Sequence, residues 1–431
     1  MGTIKALRGT RDILPEEVGY WQQVEAIARS VFGNALYSEV RPPIFEQTEL
    51  FARGIGEATD VVGKEMYTFT DRGDRSITLR PEFTAGVVRA FIEHKLGAKR
   101  NVQRLWYGGP VFRYERPQAG RQRQFHQIGA ELIGSESPAA DVEVIAVATD
   151  ILQQLGLKSL QLEINSVGNQ SDRTAYRAAL IEFLTPHKAD LDADSQDRLT
   201  RNPLRILDSK DPNTQAIVQN APQLLDYLSD ASRHHFEQVQ AMLTTLGIEY
   251  RINPRLVRGL DYYTHTAFEI QSTDLGAQAT VCGGGRYDGL VSELGGSATP
   301  AVGWAMGVER LILLLEQLRG EDAPTAWAQV YLVSQGDRAT AQGMKLAQAL
   351  RQAGLRVEFD LSGAAFKKQF KRADRSGASL CLVLGESEAE AGMVGLKWLK
   401  TQEQTQQSQA DLLGSLATLK QRLAKDAMEQ G

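Results

Sequence analysis

The residues with the clearest chemical content lie in VFRYERPQAGRQRQFHQIGAELIG, from Val111 to Gly134. Two alternating segments flank a loop that holds Pro117 and Gly120, the pattern of a β-hairpin. With a side-chain period of two, Arg113 and Glu115 share one face of the first strand, and Phe125, Gln127, Gly129 and Glu131 share one face of the second. Opposed charges, an amide and an aromatic ring on one face suit a binding site better than a core. The opposite face, with Phe112, Tyr114, Ile128, Ala130 and Leu132, is expected to pack against helices. Between the strands Arg116, Arg121 and Arg123 make a mobile cationic loop suited to phosphates. A solvated surface hairpin would carry the same mixed charge.

Four other stretches carry polar groups in unusual settings. In LVRGLDYYTHTAFEI from Leu256, Gly259 sets Arg258 and the pair Tyr262 and Tyr263 on a turn into a strand; core tyrosines with wet tips would read the same way. In CGGGRYDGL three glycines follow a strand ending at Cys282, which weakens a sheet unless backbone must approach something closely; a ligand would explain them, and so would a plain bulge or turn. In GWAMGVERLILLLEQL, Val308, Leu311, Ile312 and Leu315 mark an amphipathic helix. Arg310 in its first turns opposes the helix dipole, so either an anionic ligand or a salt bridge must answer it. In LRPEFTAG, Glu82 and Thr84 stand on one face of an extended segment or, with Pro81 ahead of them, at a helix start. No Walker loop and no G-x-G-x-x-G after a strand is present, so any ATP is held by another architecture. The six histidines show no metal-ligand spacing, and no structural metal is expected.

The elements that would position these groups are strands at Gln103–Tyr114, Gln124–Gly134, Leu160–Ser166, Ala267–Gln271 and Ala279–Cys282, with helices at Ala140–Leu155 and Val308–Leu318. Strands in runs with segregated helices predict an α+β fold on an antiparallel sheet. A polar, helix-rich stretch at about 171–232 reads as an insertion. The segment EQLRGEDAPT, Glu316–Thr325, reads as a linker with a boundary near 323, giving a first domain over 1–323. Beyond it, over 327–431, VYLV, VEFDL and LCLVLG alternate with helical patterns such as Ala339–Ala353, a small α/β domain with a partly parallel sheet. That part carries 14 Lys and Arg against 11 Asp and Glu, whereas the whole chain of 431 residues has net charge −5. Such a balance, with 42% hydrophobic residues, excludes disorder and does not suggest general nucleic-acid affinity. Cys282 and Cys381 build no disulfide framework. The N-terminal residues show no targeting segment, and no apolar run is long enough to span a bilayer, so a cytoplasmic protein without membrane contact is expected.

These motifs together resemble the histidyl-tRNA synthetases among the class II aminoacyl-tRNA synthetases, over essentially the whole chain. The hairpin resembles class II motif 2, GVERL at Gly307 motif 3, and RPPIFEQTELF at Arg41 the dimer-forming motif 1. RGLDYY at Arg258 and GGRYDGL at Gly284 are similar to the two signatures particular to histidine enzymes and their close paralogues, and NPLRILDSKDP at Asn202 resembles their inserted domain. The C-terminal part resembles their anticodon-binding domain, with FKKQFKRADR as its most basic element.

The resemblance implies a fold and a reaction: a class II catalytic domain with a helical insertion, and a ligase that activates L-histidine with ATP and passes it to the 3′ end of tRNA(His). It implies Arg113 on the α-phosphate, with Arg258 as the catalytic arginine near the same phosphate and the substrate carboxylate. Arg121 and Arg310 would take the outer phosphates, Phe125 the adenine face and Glu115 its amino edge. Mg²⁺ would accompany ATP, bound chiefly through phosphates. Glu131 and Tyr263 would take the imidazole nitrogens, and Glu82, Thr84 and Gln127 the α-amino group, in a pocket lined by Tyr262 and Tyr287. Arg116, Gln118 and Arg123 would meet the tRNA acceptor end, and Lys367, Lys368 and Lys371 the anticodon side; for each lysine a solvated helix face is the alternative. A homodimer is implied through motif 1. Departures are Phe83, where many relatives have a small residue, Tyr114, where His is frequent, and residues 392–410, which fit the usual strand-and-turn pattern poorly. The main rival is the catalytically inactive, histidine-sensing regulatory subunit of ATP phosphoribosyltransferase. That family typically lacks the C-terminal domain and degrades the adenylation arginines, both of which are present here. A nucleic-acid-binding module without catalysis leaves Glu82, Gln127 and Glu131 unexplained.

Overall fold

The computed structural model describes residues 3–428 apart from 57, 58, 60, 119, 258, 259, 261, 279 and 320–327. The chain divides into two compact units, Met1–Pro324 and Thr325–Gly431. Strands of the first unit are, in chain order, β1 Ser38–Glu39, β2 Phe45–Gln47, β3 Tyr67–Thr70, β4 Ser76–Leu79, β5 Gln103–Phe112, β6 Gln124–Ile133, β7 Leu160–Ser166, β8 Tyr250–Ile252, β9 Thr264–Ser272, β10 Thr280–Arg286 and β11 Ala301–Gly307. Among the described residues eight of them form one sheet in the order β1-β5-β6-β11-β10-β9-β7-β8. Its pairs are antiparallel except β1 with β5 and β7 with β8. The remaining three make a small antiparallel sheet, β2-β4-β3.

The alternation in β6 decides what each face does. Ile128, Ala130 and Leu132 are buried in a core with Trp21, Phe32, Ile145, Leu152, Val239 and Leu311. Those residues come from helices Pro15–Asn34, Pro138–Gln154, Asp230–Thr245 and Val308–Arg319. Burying each large apolar side chain contributes about 1.5–3 kcal/mol, so this face anchors the sheet. Helix Pro138–Gln154 starts where local chemistry requires: the Ser137 hydroxyl accepts from the Ala139 amide and Pro138 occupies the first turn. The other face holds Phe83 together with Tyr107, Tyr262, Tyr263 and Tyr287, whose rings carry polar tips around the site.

Three local expectations need correction. The first hairpin strand stops at Phe112 rather than Tyr114, because the Tyr114 amide bonds the carbonyl of Glu65 (2.7 Å) and leaves the sheet. Tyr114 is consequently exposed, edge-on to Tyr67 and under the Arg123 guanidinium, not packed against helices. The glycines 283–285 lie inside β10, not after it. A Cβ on Gly284 would stand 2.2 Å from the Gly303 carbonyl oxygen, and one on Gly285 2.4 Å from that of Thr266, so neighbouring strands, not a turn, exclude side chains there. The segment read as a linker begins inside helix Val308–Arg319; the boundary near 323 lies outside the described residues.

Between β7 and helix Asp230–Thr245 the chain is helical, with Gln170–Leu184, Ala193–Arg201 and Pro212–Val218. Asn169 and Asp172 form a capping box at the start of this stretch. Asp192 accepts from the Ser195 amide and from the hydroxyls of Ser195, Ser209 and Thr214, which hold its carboxyl well below the ordinary range despite the opposing cost of burial.

The second unit has strands β12 Val330–Ser334, β13 Val357–Phe359, β14 Leu380–Leu384, β15 Met393–Trp398 and β16 Gln404–Ser408, ordered β13-β12-β14-β15-β16. The first three are parallel and the last two antiparallel. Residues 392–410, expected to fit a strand-and-turn pattern poorly, form such a hairpin; its polar second strand is exposed or half-buried and so lacks the apolar alternation that signals a strand. Among the described residues no helix is long and apolar enough to cross a membrane.

Candidate functional site

A cleft opens over the polar face of the large sheet. Its lining includes Glu82, Thr84, Arg113, Glu115, Arg121, Phe125, Gln127, Tyr262, Tyr263, Tyr287 and Arg310. Residues from sequence positions 82 to 310 thus meet in one place. Arg258 lies outside the described residues.

At one end of the cleft the groups are cationic. Arg113 donates through Nε to the Pro81 carbonyl (2.9 Å), with its guanidinium carbon 5.4 Å from the centre of the Phe125 ring. Arg310, near the start of its helix, donates to the carbonyl of Thr280. Burial, with the repulsion of Arg121 next, lowers its pKa. Arg121 pairs with Glu115 at 3.0 Å. The hairpin loop is less free than its composition suggests: Arg116 and Gln118 are exposed, but Arg123 stacks on Tyr114 and donates to the Glu115 carbonyl at 3.2 Å.

The floor is built from hydroxyls around one carboxylate. Glu131 is fully buried; Oε1 accepts from Thr84 Oγ1 (2.7 Å) and the Tyr107 hydroxyl (3.0 Å), and Oε2 from the Tyr287 hydroxyl (2.5 Å). Burial pushes its carboxyl up to about 8, against the lowering effect of those three donors. Burial and the neighbouring carboxylate raise the phenols of Tyr107 and Tyr287 well above their ordinary value, so both remain donors. Glu82, also buried, accepts from the amides of Thr84 (2.6 Å) and Ala85 (2.9 Å) and so ties down the start of helix Thr84–Glu93. Of the two conformations open to this segment, the helix start is the one formed. The Oε1 atom of Gln127 is buried without a partner.

Sequence reasoning placed Gly129 on the site face but missed Tyr107 and Gly303 as parts of this arrangement. Tyr107 looks like an ordinary strand aromatic; only tertiary packing brings it onto Glu131. A Cβ on Gly129 would fall 2.4 Å from the Tyr107 hydroxyl, and one on Gly303, opposite Glu131 in the register, 1.6 Å from Glu131 Oε2. Two missing side chains make room for the phenol and the carboxylate. Gly303→Ala is therefore expected to displace Glu131 and cost about 1–3 kcal/mol of stability, measured by denaturant unfolding.

Among the described residues no group of three or more His, Cys, Asp or Glu side chains is placed to hold a metal. In the second unit, Lys367, Lys368 and Lys371 are exposed on helix Phe366–Ala373, while Arg372 donates to Asp360.

Fold and cleft together place the chain among the aminoacyl-tRNA synthetases. A family model described as histidyl-tRNA synthetase matches residues 9–311, and one described as an anticodon binding domain matches 329–419. The chain belongs to the histidyl-tRNA synthetase family. A histidine–tRNA ligase of Gloeothece citriformis is 69% identical over 98% of this chain and 97% of its own length. That of Rippkaea orientalis is 65% identical over the full length of both. The structure of apo histidyl-tRNA synthetase from S. aureus superposes with a TM-score of 0.81 at 40% identity, covering 96% of this chain and all of that one.

Proposed function

We propose that the chain is a histidine–tRNA ligase, which joins L-histidine to ATP with release of pyrophosphate and then passes the histidyl group to the 3′ end of tRNA(His). The observation that carries this reading is a buried carboxylate, Glu131, whose three hydroxyl donors line the same cleft as Arg113, Arg121 and Arg310, in a chain of this family. The attacking histidine carboxylate is already ionised at neutral pH, so the first step requires alignment and positive charge rather than a side-chain base. A carboxylate oxygen of histidine attacks the α-phosphorus while the bond to the pyrophosphate oxygen breaks.

Arg113 and Arg258 act at the α-phosphate in this reading, and Arg121 and Arg310 at the outer phosphates. Phe125 lies on adenine and Glu115 meets its amino edge, which requires the Glu115–Arg121 pair to open. MgATP is the nucleotide substrate, its ion held chiefly by phosphates. Glu131 and Tyr263 bond the imidazole nitrogens, with Tyr262 and Tyr287 as walls. Glu82, Thr84 and Gln127 hold the α-ammonium; the unpartnered buried Gln127 Oε1 supports this, since an unmade hydrogen bond costs about 1–3 kcal/mol and an ammonium supplies the donor. Arg116, Gln118 and Arg123 face the acceptor end, and Lys367, Lys368 and Lys371 the anticodon side. The class II assignment, the division into domains over 1–323, with its insertion, and 327–431, a homodimer formed through the segment at Arg41, and a cytoplasmic location complete the proposal.

Against a histidine-sensing regulatory subunit stand the anticodon-binding domain match and the 65–69% identity to ligases over nearly the whole chain. The deciding experiment is amino-acid-dependent ATP–pyrophosphate exchange with each of the twenty amino acids, without tRNA. Exchange with histidine alone is expected; histidine binding without exchange overturns the ligase reading. Arg258→Ala is expected to lower exchange by about 10²–10³-fold while histidine still binds in calorimetry. Near-normal turnover would remove its catalytic assignment.

A further inference from the structure

Tyr107 lies in the cleft floor, yet none of the roles above uses it. Its ring is fully buried, stacked on Phe83 at 4.4 Å between centroids and 13° between planes. That stack would satisfy a phenylalanine equally well. The hydroxyl is the unusual part: a buried phenol needs a partner, and this one meets Glu131 Oε1 at 3.0 Å across the space left by Gly129.

We propose that Tyr107 is a positioning residue for histidine selection, whose hydroxyl, together with those of Thr84 and Tyr287, fixes the Glu131 carboxyl and favours its ionised form, the one that accepts the N–H of the substrate ring. This rests on the ligase reading above and deepens it. An ionised carboxylate has about four acceptor positions, and three hydroxyl donors fill three of them. One position is left for the ring. A protonated carboxyl would instead offer its own O–H and could not accept from an imidazole N–H at that oxygen.

The groups facing Glu131 come from several elements: Tyr107 from β5, Thr84 and Glu82 from the start of helix Thr84–Glu93, Tyr287 just after β10, and Tyr262 before β9. Burial and the Glu82 charge favour the protonated form; the three hydroxyls favour the ionised one. Removing one donor therefore moves the balance toward protonation.

The test is Tyr107→Phe, read in two ways: the pH dependence of kcat/KM for histidine in pyrophosphate exchange, and histidine affinity by calorimetry over the same pH range. Loss of one hydrogen bond to a charged group is expected to weaken histidine binding about tenfold at neutral pH and leave kcat little changed. The acid limb of kcat/KM should move to higher pH by about one unit, since a tenfold bias between protonation states is one pKa unit. Replacing Tyr107 by 3,5-difluorotyrosine keeps the ring and strengthens the donor, so the limb should move to lower pH. Equal losses in kcat and affinity with an unmoved acid limb would overturn the proposal and reduce Tyr107 to packing, as would a fluorinated protein identical to the parent. Calorimetry separates this outcome from failure of the ligase reading, because a parent chain that binds histidine without exchanging pyrophosphate still reports the shift.

Discussion

Arg113→Ala is expected to lower histidine-dependent pyrophosphate exchange by about 10²–10³-fold, the usual cost of removing one preorganised group that meets developing charge. The side chain is half-buried and its Nε is held by the Pro81 carbonyl, so the guanidinium is oriented before any ligand arrives. In-line attack on the α-phosphorus gathers negative charge on the oxygens around it, and in the proposed mechanism the fixed Arg113 guanidinium would meet that charge without reorganising. Arg113→Lys should recover little of the loss, because an ammonium has neither the planar fork nor the Nε–H that ties the group to Pro81. Thermal unfolding of the Ala variant should match the parent within experimental error, since no large apolar contact is lost. A rate within a factor of about three of the parent would exclude Arg113 from the phosphate contact.

Much of this site was legible because charge and alternation coincide in one short stretch. The period of two in Phe125–Ile133 placed Gln127 and Glu131 on one face, and the structure keeps them there, with Ile128, Ala130 and Leu132 buried on the other. Legibility ended where the determinant was not local. The end of β5 is set by a bond from Tyr114 to Glu65, 49 residues back in the chain, which no pattern around Tyr114 records. Tyr107 and Gly303 acquire meaning only from the register that lays β5 and β11 on either side of β6. The three glycines of β10 were visible as unusual, but not what excludes side chains at Gly284 and Gly285, which is the backbone of the two neighbouring strands.

The same distinction separates positioned charge from mere charge. Arg116, Arg121 and Arg123 look alike in sequence, yet one is exposed, one is paired with Glu115 and one is stacked on Tyr114. Arg121 must exchange its partner before it meets a phosphate, so nucleotide binding and release of Glu115 are coupled in the proposed mechanism. The pair is half-buried, so the phosphates and the adenine edge must each supply a new partner in place of the one given up.

Glu131→Gln is expected to make the ligand-free protein more stable at alkaline pH while cutting kcat/KM for histidine by about 10³–10⁴-fold. The carboxyl is fully buried, and its pKa rises from the ordinary 4.5 to about 8 in the fold. A group that binds its proton more tightly when folded gives stability that is fully present below about 4.5 and is lost as pH rises through about 8. Above that pH the parent buries a charge, and the amide, which never ionises, does not. The variant should therefore gain about 1–3 kcal/mol over the parent near pH 9 and much less near pH 5, measured by urea unfolding at both values. Saturating histidine should erase the gap by stabilising only the parent, because the ring N–H supplies the partner the carboxylate lacks. A variant with the parent's pH profile would mean that Glu131 is already ionised without substrate, its three hydroxyls sufficing to hold the charge.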